Sequence, residues 1–144
     1  MPDEINPITD EEFLYRRVPE LMPWFDPATR TLKSFAFRPD KQRDVTGLSV
    51  TRAKFKSVEQ AARGRPGKSY YVAVLRAGDL RNANIRVVPQ PNLPDGFDIS
   101  HAELPDLRAD NYKSTETLER QRTLAEELCL QVEGPFETEQ STTA

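Results

Sequence analysis

The sequence predicts an α+β single domain: a small mixed or antiparallel sheet of about five strands, with a long C-terminal amphipathic helix packed on it. Three observations predict this. Short runs rich in β-branched and aromatic residues recur through the middle of the 144-residue chain. The 12 prolines fall mostly between those runs, which implies short elements joined by stiff loops. Near the C-terminus the apolar spacing lengthens to the helical period. The domain is placed at residues 9–136. Residues 1–8 and 137–144 read as flexible tails, because they hold few apolar groups to offset the entropy of ordering.

The elements follow in order. Thr9 and Glu12 have the spacing of a capping box, which would start a short helix ending before Pro19. The same segment, Phe13 to Val18, also reads as a strand, and periodicity does not separate the two. Leu21 to Phe25 is an apolar loop closed by the turn pair Asp26-Pro27. Leu32 to Phe37 reads as a strand with Phe35 and Phe37 on one face. Gly47 to Thr51 is a second strand, with Leu48 and Val50 pointing one way.

Ser57 and Gln60 form a second capping box, opening a short helix from Val58 to Arg63. Gly64-Arg65-Pro66-Gly67-Lys68 ends it. That stretch has glycines and a lysine but not the spacing of a phosphate loop, and it leads from helix to strand, the wrong order for one. It is read as a surface turn. Tyr70 to Leu75 is a near-continuous apolar run, the mark of a strand buried on both faces, and is placed at the sheet centre. A helical turn over Gly78 to Asn84, a strand over Ile85 to Val88 and a last strand over Phe97 to Leu104 complete the sheet. Ser114 or Thr115 then caps a helix to about Val132. Leu118, Leu124, Ala125, Leu128 and Val132 form its apolar stripe, and Gly134-Pro135 stops it.

Composition narrows the function. A net charge of −3 argues against a partner bound through a broad basic field, as nucleic acid is. The single cysteine, Cys129, excludes an internal disulfide and a cysteine-based zinc site, and it reads as a small semi-buried apolar residue. No apolar run approaches membrane-spanning length, and the acidic start, Met1 to Asp10, is unlike a secretory signal. The expected location is the cytoplasm, with no metal and no cofactor.

Two groups of residues could carry function. His101 is the only histidine, and on a strand it shares a face with Phe97, Ile99 and Glu103. That face is either a pocket rim or a strand emerging into solvent. Arg16-Arg17 sends one guanidinium to each side of a strand, where it could grip a phosphate or carboxylate or line a solvated edge. Separately, Met22, Trp24 and Phe25 group large apolar side chains in a loop. Such a group either folds over the core or marks a contact with a protein partner.

Two resemblances can be stated. Arg16-Arg17-Val18-Pro19, Leu48-Ser49-Val50 and His101-Ala102-Glu103 resemble the pattern of a family of small uncharacterised bacterial proteins over residues 13–136, a likeness that brings no activity with it. The order Arg16 or Arg17, then Ser49, then Glu103 is similar to that of the ADP-ribosyltransferase fold, and Tyr70 to Val74 followed by Gly78 to Arg81 looks like its connector. That resemblance implies an NAD-consuming enzyme in which the arginine holds the pyrophosphate and the glutamate orients the attacked ribose. The first expectation is an accessory or interaction module acting with a protein partner; the NAD-consuming enzyme is the alternative.

Overall fold

Period-two burial organises the chain. The computed structural model describes residues 7–137. In order, its elements are β1 (Phe13–Pro19), β2 (Phe25–Asp26), β3 (Thr31–Leu32), β4 (Leu48–Arg52), α1 (Val58–Ala61), β5 (Ser69–Arg76), α2 (Ala77–Asn82), β6 (Val88–Pro89), β7 (Asn92–Leu93), β8 (Gly96–Phe97), β9 (His101–Leu104), α3 (Thr115–Thr123) and β10 (Gln131–Glu137). Six strands form one antiparallel sheet in the order β10-β5-β1-β4-β9-β6. The pairs β2-β3 and β7-β8 are separate two-stranded hairpins. The architecture is α+β, with a larger sheet than the five strands expected.

One sheet face carries the main core. Leu14 and Val18, Leu48 and Val50, Tyr71, Ala73 and Leu75, and Ala102 and Leu104 all project there. Phe25, Phe37 and Leu124 cover them from outside the sheet. Phe25 stacks on Tyr71 with centroids 4.0 Å apart. The opposite face is mixed, and α1 lies over β1 there. The Ser57 capping box is present in full.

Several expectations are corrected. The segment from Phe13 is a strand, and Thr9 and Glu12 close a turn instead of capping a helix. Leu32 to Phe37 is a short bridge followed by a 3₁₀ turn, Ser34–Phe37, because Phe37 and Ala36 must both turn inward to the core. Tyr70 to Leu75 is buried on both faces, but β5 lies one strand from the edge; β1 and β4 are central. Only Val88–Pro89 pairs in the Ile85 region. The expected strand from Phe97 is broken at Asp98, whose carboxylate takes the amide and hydroxyl of Ser100 and so makes a local turn.

The C-terminal helix runs Thr115–Thr123 and continues as a π-helix, Leu124–Leu128, capped by Ser114. It buries Thr117, Gln121 and Leu124, whereas Leu118 is exposed. The chain beyond it is a strand, β10, which runs through Gly134-Pro135 with a register shift between Glu133 and Phe136. Of the expected tails, residues 1–6 and 138–144 lie outside the described residues. Ile8 is buried, and its carbonyl accepts a bond from Arg81, so the chain is already docked there. Among the described residues no helix is long and apolar enough to cross a membrane.

Candidate functional site

The site residues gather where the central ladder opens. Arg52 donates its amide to the Ser100 carbonyl, which sets the alternation of the β4-β9 ladder. Ser49↔Glu103 and Thr51↔His101 are therefore its close, non-hydrogen-bonded pairs. It follows that the Ser49 amide and carbonyl face β1. Yet β1 pairs with β4 only at Leu14↔Arg52 and Tyr15↔Thr51, while its ladder with β5 runs the whole strand.

Two side chains take over where that pairing stops. The Ser49 amide donates to Asp44 Oδ1 at 3.0 Å, and the Ser49 carbonyl accepts from Arg16 Nη1 at 2.9 Å. Arg16 Nε also donates to the Ala36 carbonyl at 3.0 Å. Burial pushes the Arg16 guanidinium below its ordinary range, and the attraction of Asp44 opposes that shift. Asp44 is itself buried, and its second oxygen takes the Asp40 amide. Buried backbone polar groups must find partners, so this pair replaces ladder bonds that the strands do not make.

On the opposite face, Ser49 meets His101. His101 Nδ1 lies 2.7 Å from the Gln90 carbonyl, which can only accept, so Nδ1 carries a proton. In the neutral ring Nε2 is then the acceptor for the Ser49 hydroxyl, 3.2 Å away. Glu103 shares this face but is buried and turned to Thr46, whose hydroxyl donates to Oε1 at 2.7 Å. The strand break at Asp98 removes Phe97 from this face: it pairs with Asn92 and is exposed.

The two arginines part as alternation requires. Arg16 lies on the core face with Leu14 and Val18, and Arg17 on the Ser49 face. Arg17 lies over the Tyr70 ring at 5.2 Å and donates to the Arg63 carbonyl, and burial lowers its affinity for a proton. Gly64 lets the loop after α1 close on the same Tyr70 ring, since a Cβ there would sit 2.4 Å from Tyr70 Cζ. Arg17, Ser49, His101 and Glu103 therefore share a face, and Arg16 reaches Ser49 from the other side. Two surface depressions, one lined by Arg81, Ile85 and Asp106 and the other by Thr9, Glu12 and Lys54, involve none of them. Among the described residues no three or more metal-ligating side chains cluster.

Chemically, the Ser49–His101 contact gives a hydroxyl with a base in reach. The Ser49 amide, spent on Asp44, is not a donor for a developing oxyanion.

The apolar loop divides. Phe25 is fully buried and cannot meet a partner, which corrects its assignment as a contact residue. Trp24 is half-buried, edge-to-face with Phe35 at 5.1 Å. Leu21 and Met22 are 47% and 53% exposed.

Two features went unread in the sequence. The fully buried Arg52 binds Glu12 through Nε at 2.6 Å and Nη2 at 2.8 Å. Its place two residues after Val50 on an alternating strand marked it as inward. Tyr112 gathers Arg38, Lys41 and Lys113 around its ring, which no local pattern announces. Compared with known proteins, the chain matches no protein family, no curated protein and no solved structure.

Proposed function

We propose that the chain is a cytoplasmic accessory module that binds a protein partner through the turn Leu21 to Trp24. The observation that carries this reading is how the turn divides its side chains. Phe25 anchors it in the core, and that anchor holds Leu21 and Met22 out in solvent beside the half-buried Trp24. Exposed apolar side chains grouped on a rigid support are what a contact surface needs. A photo-crosslinking amino acid at Met22, expressed in the native cell, tests it. The expected result is one discrete protein adduct, lost on Trp24→Ala and absent when the crosslinker sits at Phe97. No adduct at Met22, or the same adducts from both positions, overturns the reading.

An NAD-consuming activity is the second reading. What supports it is that Arg17, Ser49 and Glu103 project from one sheet face. It asks Glu103 to leave Thr46 and turn to a ribose. Calorimetric titration with NAD is expected to show binding weakened by Arg17→Ala; absence of any heat at millimolar NAD eliminates it.

A further inference from the structure

Arg38, Lys41 and Lys113 converge on one ring. Their cationic groups lie 4.6, 5.4 and 5.5 Å from the Tyr112 centroid. The ring's negative face attracts each of them, but three like charges this close repel one another. Among the described residues, none of the three forms an ion pair with a carboxylate. The neighbouring acids are engaged elsewhere. Asp110 binds Arg108, Asp44 is buried under Ser49, and Asp40 takes the amides of Gln42 and Arg43. Lys113 and Lys41 together hold the Tyr112 phenol below its ordinary range, against the opposing effect of desolvation. The cluster is a local positive spot on a chain of net charge −3.

The spot is continuous with the apolar turn. Arg38 also lies 4.9 Å from the Phe35 centroid, and Phe35 meets Trp24 at 5.1 Å. A single track therefore runs from the turn at Leu21 and Met22 through Trp24, Phe35 and Arg38 to Tyr112 and its lysines. One end takes an apolar group and the other takes negative charge.

We propose that this track docks an acidic segment of a protein partner, with its carboxylates on Arg38, Lys41 and Lys113 and an adjoining apolar side chain against Trp24 and Leu21. The proposal rests on the partner-binding reading above and names the chemistry of the partner. Charge complementarity selects acid. The apolar end selects a peptide over a nucleic acid, whose repeating phosphates would meet only one end of the track. The overall negative charge also disfavours a long polyanion.

The test uses the full chain and a short fluorescein-labelled peptide of Glu and Leu, its Gln counterpart, and an oligothymidylate. Binding is read by anisotropy and by the Tyr112 ring signals in NMR. The Glu peptide is expected to bind and shift Tyr112, and to weaken about tenfold with Lys113→Glu or Arg38→Glu. Raising salt to about 0.5 M should weaken it similarly, because screening shortens the reach of exposed charges. Lys113 is exposed, so its variant keeps the test valid if Arg38→Glu disturbs the fold. Equal binding of the Gln peptide, tighter binding of the oligothymidylate, or shifts elsewhere on the surface overturns the proposal. A Met22 crosslink that persists unchanged in Lys113→Glu overturns the acidic chemistry alone and leaves the partner reading standing.

Discussion

At the scale of single residues, two arginines, Arg52 buried and Arg16 half-buried, decide how the central strands are held. Arg52 has no solvent exposure and is neutralised by both oxygens of Glu12. Breaking a buried pair by removing one charge leaves the other uncompensated, which costs far more than the pair contributes. Arg52 has further partners, the Pro7 carbonyl among them, so Glu12→Gln is expected to lower stability in urea unfolding by less than the roughly 3–5 kcal/mol of a fully stranded buried charge. The double change Glu12→Leu with Arg52→Met should recover most of that loss. A single variant as stable as the parent would show that Arg52 is satisfied without Glu12. Arg16 and Asp44 differ, because they act through the backbone of Ser49, one on its carbonyl and one on its amide. From the sequence, Arg16-Arg17 gave the alternation, but not which arginine would enter the core. That choice depends on a gap between β1 and β4 formed by residues far apart in the chain.

At the scale of elements, legibility followed local signals. The Ser57 box, the Ser114 cap and the buried β5 run were all visible, because each is written in neighbouring residues. The end of the chain was not. Gly134-Pro135 reads as a stop, yet β10 passes through it, since tertiary pairing with β5 outweighs a local breaker at a sheet edge. The helix before it departs from its apolar pattern for a related reason. Leu118 fits the apolar stripe but is exposed, and the buried positions include Thr117 and Gln121. Gln121 Nε2 is buried with no hydrogen-bond partner among the described residues. Such an orphan costs about 1–3 kcal/mol. Gln121→Leu, of similar size, is expected to leave the fold intact and raise stability by about 1 kcal/mol in thermal or urea unfolding. A drop in stability would mean that the amide is satisfied by solvent.

At the scale of the whole molecule, acid should be the weak side. Asp40, Asp98 and Asp106 all titrate below the ordinary aspartate range. The Gln42 amide lowers Asp40 most; at Asp98 the Ser100 bonds, and at Asp106 the Arg86 bonds, outweigh desolvation. A carboxylate with a depressed folded value contributes stability that is present above its unfolded value, near about 3.9, and lost as pH falls toward the folded one. The contribution of these three groups should therefore be complete at neutral pH and decline below about pH 4. Asp106→Asn should shrink that decline, because it removes one of the three linked groups. Urea midpoints across the range check this, and an unchanged slope in the variant would contradict it. The order of strands has one more effect. Among the described residues, the two outermost strands of the sheet are β6, two residues long and ending in Pro89, and β10, interrupted by Pro135. A proline offers no amide hydrogen, so neither margin presents an unbroken row of donors to a second sheet. Neither margin is therefore expected to template a second sheet when the chain is concentrated.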